Sequence, residues 1–489
     1  MATQERRTAQ QIGTTAALFV IVWFLGIQPR MGWAAAGEVW WTAVLYVLCC
    51  LPALFFLGGH GLRIPVMPIW GIMYFFTFSP STLSSESFER TFMFVSPEVV
   101  MTAIQLTVLG AALLLLAFYG PLGMWAEVRV GQKVSGPPLD PRQMERRGMW
   151  FTLLGIAVRY LSGFIHLPVA FAQLITLGIG LGSFGMVCLL LLQLRGQLPI
   201  LLIFLLWGVA VPTHVMLGLA SGLLAEVLAV LMPLLFCYTG ERRKIPWPAI
   251  TVTVLCFIPF AGSVKSQYRQ MTWGSEEGPV NAASSPFDKA FAFVELAFTH
   301  LVEGGTGTYA EQTESTALRY SQLEAVVYVM EQTPSVIPFW EGETYSDLLW
   351  SLVPRFLFPS KPIKQLGQVY GHRYGILDEW DSSTSVNVPH QVIEMYINFG
   401  PVGVLVGMAL LGCAYRALTS LVARQQVADQ ALLLGSVVFP GMLDIGSNFT
   451  LVFGGVVYFM AFVSLAVRSM EQKGSRGVQT VGLASAGLQ

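Results

Sequence analysis

Long apolar runs separated by short polar connections dominate the chain from Thr14 onwards. With about twenty apolar residues needed for each helical crossing of a bilayer, the runs predict about twelve spans. These are Thr14–Met31, Val39–Gly59, Ile64–Ser79, Val99–Gly120, Gly148–Ile165, Pro168–Leu194, Pro199–Leu217, Leu219–Tyr238, Trp247–Gly262, Tyr396–Tyr415, Ala431–Ile445 and Thr450–Val467. They are too long and too uniformly apolar for the alternating strands of a barrel, and in lipid only helices or closed barrels satisfy the backbone internally. The expected fold is all-α, a polytopic transmembrane helical bundle.

One connection breaks the pattern. Residues 263–392 span roughly 130 positions of mixed polarity, long for a structureless connection and therefore expected to be a functional element. Within it Phe287, Phe291, Val294, Phe298 and Leu301 recur at helical spacing, a stripe suited to a helix on the membrane surface or packed on the spans. Leu318–Met330 and Tyr345–Val353 also read as helices, the second stopped by Pro354. The organisation expected is N-terminal spans over 1–262, this large loop with short helices over 263–392, C-terminal spans over 393–470, and a Gly-, Ser- and Ala-rich disordered tail over 471–489.

Composition agrees with the pattern. Charged residues make up 12% of the 489 residues and hydrophobic ones 54%, whereas a soluble domain carries about 25% charged residues. A net charge of −1 without a basic stripe leaves no footprint for nucleic acid. All six cysteines (Cys49, Cys50, Cys188, Cys237, Cys256 and Cys413) fall inside apolar runs, which suits packing thiols and predicts no disulfide framework. The first run follows Arg6 and Arg7 without a clear small-residue cleavage site, so it reads as a retained helix.

Charge then orients the spans. With the N-terminus inside, the inner segments carry Arg6, Arg7, Arg63, Arg129, Lys133, Arg142, Arg146, Arg147, Arg195, Arg242, Arg243, Lys244, Arg416, Arg424, Arg468, Lys473 and Arg476. The short outer connections hold only Arg30 and Arg90. This asymmetry is what the positive-inside rule requires, and it places both termini in the cytoplasm and the large loop outside.

The loop concentrates the candidate chemistry. It opens with Lys265, Tyr268 and Arg269 in VKSQYR, then holds Arg319, Arg355 and Lys361 in VPRFLFPSKP, and His372 and Arg373 in GHRYG. It closes with His390 and Glu394 leading into the next span. Arginine offers a planar fork of donors that matches phosphate oxygens and stays protonated. Prolines 354, 359 and 362 restrict the backbone around Arg355 and Lys361, which lowers the entropy lost in gripping an anion. Such a set suits a lipid-linked pyrophosphate and would stabilise it as a leaving group, with His390 or Glu394 placed to take a proton from an attacking hydroxyl. No HExxH, paired-aspartate motif, extramembrane cysteine cluster, P-loop or Rossmann fingerprint is present, so neither a metal nor a cofactor is expected. Within the spans, Arg159, His214, Glu226 and Asp444 are the ionisable candidates; Arg159 could join the phosphate site, and Glu226 reads as nearer mid-span and paired with another helix.

The order K-x-x-Y-R after a span, P-R-F-L-F-P-S-K-P, then E-M-Y-I-N-F-G-P-V-G opening the next span resembles the Wzy-type polymerases of bacterial O-antigen and oligosaccharide repeat units. The resemblance is concentrated in Lys265–Gly403. It implies metal-independent glycosyl transfer on the periplasmic face of the inner membrane. A growing glycan on undecaprenyl pyrophosphate would be donor and a second lipid-linked repeat acceptor, in a surface polysaccharide or exopolysaccharide pathway that includes a flippase and a chain-length regulator. Carried onto this chain, His390 and Glu394 would be catalytic, and Arg355, Arg269, Lys265, Lys361, Arg319, His372, Arg373 and Arg159 would bind pyrophosphate or glycan. The related O-antigen ligases share a loop histidine, an acidic residue and glycines, here His390, Glu394, Gly400 and Gly403. Gln391 stands where the ligase pattern has asparagine, which favours polymerase. A transporter or flippase of lipid-linked sugars is the alternative of another class, weakened by the lack of an internal repeat.

Overall fold

A computed structural model of the chain describes residues 2–27, 36–58, 64–83, 88, 91–130, 138–164, 171–259, 264, 267–268, 271–272, 285–302, 321–346, 348–353, 358, 365–381, 386, 390–423 and 428–471. Among them the only strand pairing is one isolated antiparallel bridge, Leu139 to Glu471. All else that is regular is helical. The first half contains α1 (Ala2–Ile21, continued by a π-type stretch Val22–Ile27), α2 (Ala36–Leu57), α3 (Val66–Phe78), α4 (Pro97–Tyr119), α5 (Pro121–Val130), α6 (Pro141–Ser162) and α7 (Ala172–Leu194). Then come α8 (Ile200–Leu219, with a π-type stretch Leu206–Ala210), α9 (Leu224–Arg242) and α10 (Trp247–Pro259). The loop region contributes α11 (Pro286–Val302), α12 (Leu323–Gln332), α13 (Leu348–Ser351) and α14 (Leu366–Arg373), and the chain closes with α15 (Gln391–Ala423), α16 (Ala428–Met442) and α17 (Phe449–Ser469).

Among the described residues, each of the twelve apolar runs overlaps a helix. Six of these helices are long and apolar enough to cross a membrane: those containing Trp40–Leu57, Pro97–Tyr119, Gln173–Leu194, Ile200–Leu219, Gln391–Ser420 and Phe449–Ser469. Thr8–Phe24 and Val66–Phe78 are shorter apolar helices. In a medium as apolar as their side chains, helices gain by close van der Waals approach at small residues. At Gly155 of α6 an added Cβ would lie 2.3 Å from Gly182 Cα of α7, and at Gly412 of α15 it would lie 2.3 Å from Leu114 O of α4. The α6–α7 and α4–α15 pairs form the closest-packed seams of the bundle.

Contacts sort the chain into two ends. At one end Asp140 N donates to Met470 O (3.0 Å), and Arg416 pairs with Glu127 (2.6 Å). There Arg195 grips both oxygens of Asp429 (2.6 and 2.7 Å) and reaches Glu241 (3.1 Å), tying α7, α9 and α16 together. At the other end Gln322 N donates to Thr77 O (2.8 Å), Ser81 meets Ser321 (3.1 Å), Tyr268 donates to Ala220 O (2.9 Å) and Trp340 N donates to Ile397 O (2.9 Å). The first group lies in the segments assigned above to the cationic face, the second in those assigned to the opposite face.

Several expectations are corrected. The stretch Tyr345–Val353 is not one helix: a 3-10 turn over Glu343–Tyr345 precedes the four-residue α13. The tenth apolar helix begins at Gln391, five residues before Tyr396, because residues 391–395 are buried against the loop elements instead of being solvated. Asp444 lies in the exposed turn between α16 and α17 and not within a helix. Glu226 sits in the first turn of α9 and not near the middle of a span. Of the apolar stripe, Phe291 (62% exposed), Val294 (40%) and Phe298 (66%) face outward from α11, while Ala290, Phe293 and Ala297 on the opposite face are buried with Tyr268. The tail 472–489 lies outside the described residues.

Candidate functional site

The segment Glu394–Gly403 is the hub on which the loop folds back. Gly400 adopts φ +66° and ψ −158°, a conformation open essentially to glycine alone, and with Pro401 behind it the helix axis breaks there. The break frees backbone and side chains of the preceding turns for tertiary bonds. Asn398 takes three of them: Nδ2 donates to Glu394 O (2.7 Å) and to Thr344 Oγ1 (2.8 Å), and Oδ1 accepts from Gly342 N (2.9 Å). Tyr396 donates to Thr333 O (3.1 Å), and Thr333 Oγ1 meets the Tyr374 hydroxyl (2.7 Å). Three loop segments are thereby fastened to one helical turn.

Within this hub Glu394 is fully buried. Its Oε2 accepts from Phe449 N at 2.6 Å, so the carboxylate caps the N-terminus of α17, where unsatisfied N–H groups and the helix dipole favour an anion. Its Oε1 has no hydrogen-bond partner among the described residues. Burial and then the nearby Glu394 carboxylate push the Tyr345 hydroxyl upward, so it stays protonated. His390 is 1% exposed; its Nδ1 accepts weakly from Ile393 N (3.5 Å), its ring meets Phe78 edge-on (5.3 Å), and Nε2 has no partner among the described residues. Burial pushes the imidazole down to about 3, with the Gln322 backbone opposing the shift, so His390 is neutral at ordinary pH.

Beside the hub, the loop turns back at Trp340–Glu343. Both central residues have positive φ (Glu341 +50°, Gly342 +90°), and Glu343 N closes the turn on Trp340 O at 2.9 Å. The last turn of α14 supplies Arg373, which lies over the Trp340 ring (4.2 Å) and pairs with Glu343 (2.8 Å). His372, its neighbour, is half-buried with Nδ1 lacking a partner among the described residues.

A second polar cluster lies where α6, α8 and α9 meet. Arg159 Nη2 donates to Glu226 Oε2 at 2.7 Å, with the arginine side chain 5% and the glutamate side chain 41% exposed. Arg159 Nη1 and both ring nitrogens of the buried His214 make no hydrogen bond among the described residues. Glycines make the room: an added Cβ at Gly182 would meet His214 Nε2 at 2.9 Å, and one at Gly218 would meet Arg159 Nη2 at 3.3 Å. Tyr268, the tyrosine of the K-x-x-Y-R motif, anchors on Ala220 of the same α8–α9 hairpin.

The structure thus places His390, Glu394 and Arg373 around one hub, with His372 beside Arg373, and Arg159 in the other cluster with His214 and Glu226. Lys265, Arg269, Arg319, Arg355 and Lys361 lie outside the described residues. Sequence reasoning overlooked Trp340, Glu343, Thr344 and Asn398. The available signal was the run Phe339-Trp340-Glu341-Gly342-Glu343, two aromatics against two carboxylates and a turn glycine in an otherwise polar loop. Among the described residues no three His, Cys, Asp or Glu side chains gather to hold a metal ion.

Comparison with curated proteins gives no match, and comparison with solved structures gives none. The stretch from α6 to the end of α17, closed on itself by the Leu139–Glu471 bridge, is also the part of the chain that is recognisable. Residues 140–473 match the family described as domain of unknown function DUF8712, and the chain belongs to that family.

Proposed function

We propose that this protein is a membrane glycosyltransferase of the Wzy type. On this reading it polymerises undecaprenyl-pyrophosphate-linked oligosaccharide repeats into a surface polysaccharide on the periplasmic face of the bacterial inner membrane, with about twelve spans and both termini cytoplasmic. The observation that carries it is the docking of the two resembling motifs. Tyr268 of K-x-x-Y-R is anchored on Ala220 in the hairpin whose second helix carries Glu226, the partner of Arg159, and E-x-Y-x-x-F-G gathers the loop segments that precede it. Arg159 keeps Nη1 without a partner in a desolvated setting, where a guanidinium acts strongly on phosphate oxygens.

In the reaction, the bond from the anomeric carbon to the diphosphate oxygen breaks and the diphosphate leaves with the electron pair. An acceptor hydroxyl oxygen forms the new bond and gives up its proton. Arg159, Arg269, Lys265, Arg319, Arg355 and Lys361 are the cations assigned to the diphosphate, where stabilising the departing charge contributes most. His390 and Glu394 are assigned to the proton; both are buried, so taking it requires the loop to lift from α15.

The test joins two readouts. Purified protein incubated with a lipid-linked repeat should yield a ladder of products, and Arg355→Ala and Arg269→Ala, each at normal membrane levels, should abolish or shorten the polymer in cells. Normal chain lengths in both variants would refute the assigned site. A deletion strain left with single repeats attached supports polymerase, one with none attached points to ligase, and repeats retained on the cytoplasmic leaflet point to transport.

A further inference from the structure

The turn Trp340–Glu343 and the end of α14 enclose an open cleft of about 490 Å³, within the size range of small-molecule sites. Its walls are of two kinds. Val336, Pro338 and Phe339 present apolar surface, and Glu341, Glu343 and Arg373 present charged heads. We propose that this cleft holds uncharged sugar units of a glycan, separately from the groups that hold its phosphates. The inference deepens the reading above and rests on it for the identity of the glycan's carrier, but binding in the cleft is measurable without it.

Charge is the first argument. Two carboxylates and one guanidinium leave the lining net negative, which disfavours a diphosphate or an acidic sugar. Arg373 and Glu343 stand 2.8 Å apart with 40% and 46% of their side chains exposed, so a fork of donors and a pair of acceptors lie side by side within reach of a ligand. Neighbouring hydroxyls on a pyranose need that combination, since each both donates and accepts. The apolar wall suits the C–H face of the same ring.

Preorganisation is the second. Arg373 is held by the Trp340 ring and by Glu343, so little side-chain freedom is lost on binding. The turn is tied to α15 twice, through Trp340 N to Ile397 O (2.9 Å) and Gly342 N to Asn398 Oδ1 (2.9 Å). Trp340, which lines the cleft, is 5% exposed, and its buried indole N–H has no acceptor among the described residues.

The full chain, purified in detergent and immobilised, is exposed to an array of neutral, amino-sugar and acidic oligosaccharides, and affinities for the best ligand are then measured by titration. Neutral glycans should bind. Arg373→Ala should weaken binding roughly tenfold, the loss of one two-bonded contact, and Glu341→Gln, at an exposed position, should change it measurably without altering the melting temperature. Arg373→Lys keeps the charge but not the fork, and should also bind weakly if geometry matters; it serves where the alanine variant fails to fold. Inorganic pyrophosphate should not compete. The inference is overturned if folded protein binds no glycan, if only acidic glycans bind, if pyrophosphate competes, or if Arg373→Lys and Glu341→Gln both bind like the parent. A product ladder with unaltered glycan binding in the cleft variants would sink this inference alone. Glycan binding in the cleft without any ladder would sink the polymerase reading alone.

Discussion

His390 shows how burial decides what a residue can do. An imidazole in water titrates near neutrality, but at 1% exposure and edge-on to Phe78 the charged form loses its hydration without gaining a carboxylate partner. The depressed value of about 3 has a consequence for stability. Below a pH of about 6.5 the unfolded chain takes up a proton at this position and the folded chain does not. The stabilisation is therefore fully present above that pH and is lost as pH falls towards 3, with a slope of at most about 1.4 kcal/mol per pH unit. His390→Gln should flatten the acid limb of the stability profile relative to the parent, as measured by unfolding in detergent across that range. Parallel profiles would show that His390 is not the buried neutral group described. Glu394 is buried as well, but unlike His390 it has a hydrogen-bonded partner at a helix end, its Oε2 accepting from Phe449 N at the start of α17.

At the scale of elements, the break in α15 is the feature on which the hub depends. Gly400 combines a positive φ with an extended ψ, and a Cβ there would also come within 3.1 Å of the Phe339 ring. Gly400→Ala should therefore lower stability by about 1–3 kcal/mol, the usual range for a residue forced into such a conformation. Because Phe339 lines the cleft, the same change should disturb the loop more than the bundle. Hydrogen exchange would locate the effect: faster exchange over 333–346 with unchanged rates in α6 and α7 is expected. Uniform acceleration, or none, would mean that the kink does not govern the loop. The exposed face of α11 belongs to this scale too, because Phe291, Val294 and Phe298 point away from the protein on a helix whose other face is packed. Such a face suits lipid.

For the whole molecule, the Arg195–Asp429–Glu241 and Arg416–Glu127 ion pairs and the loop contacts occupy opposite ends. Arg195, Asp429 and Glu241 clamp three helix ends at one, and the segments around Thr344 and Asn398 meet at the other. In the proposed topology, which follows the positive-inside rule, the first end is the cytoplasmic one. In a cysteine-free background, Glu379→Cys should react with a membrane-impermeant maleimide in intact spheroplasts. Gln197→Cys should react only after permeabilisation. The reverse pattern would invert the proposed topology and remove the active loop from the periplasm. The family match begins at Asp140, yet α4, which precedes it, fills the seam against α15. The matched region therefore depends on helices outside it for its packing.

How much of this was legible beforehand follows from what is local in a chain. Apolar runs are a property of consecutive residues, so the twelve apolar segments that overlap helices and the α11 stripe could be read directly, and α12 was marked by its own apolar spacing. The motifs to which the proposed chemistry is assigned, at 265–269, 354–362 and 390–403, stand out in the sequence for the same reason. Partner choice is not local. That Arg159 meets Glu226 across 67 positions, that Glu394 caps a helix 55 residues later, and that Arg373 lies on Trp340 depend on which helices pack together. Composition and spacing carry no record of those distances, so burial, pairing and the cleft itself were decided only when the loop folded back onto α15.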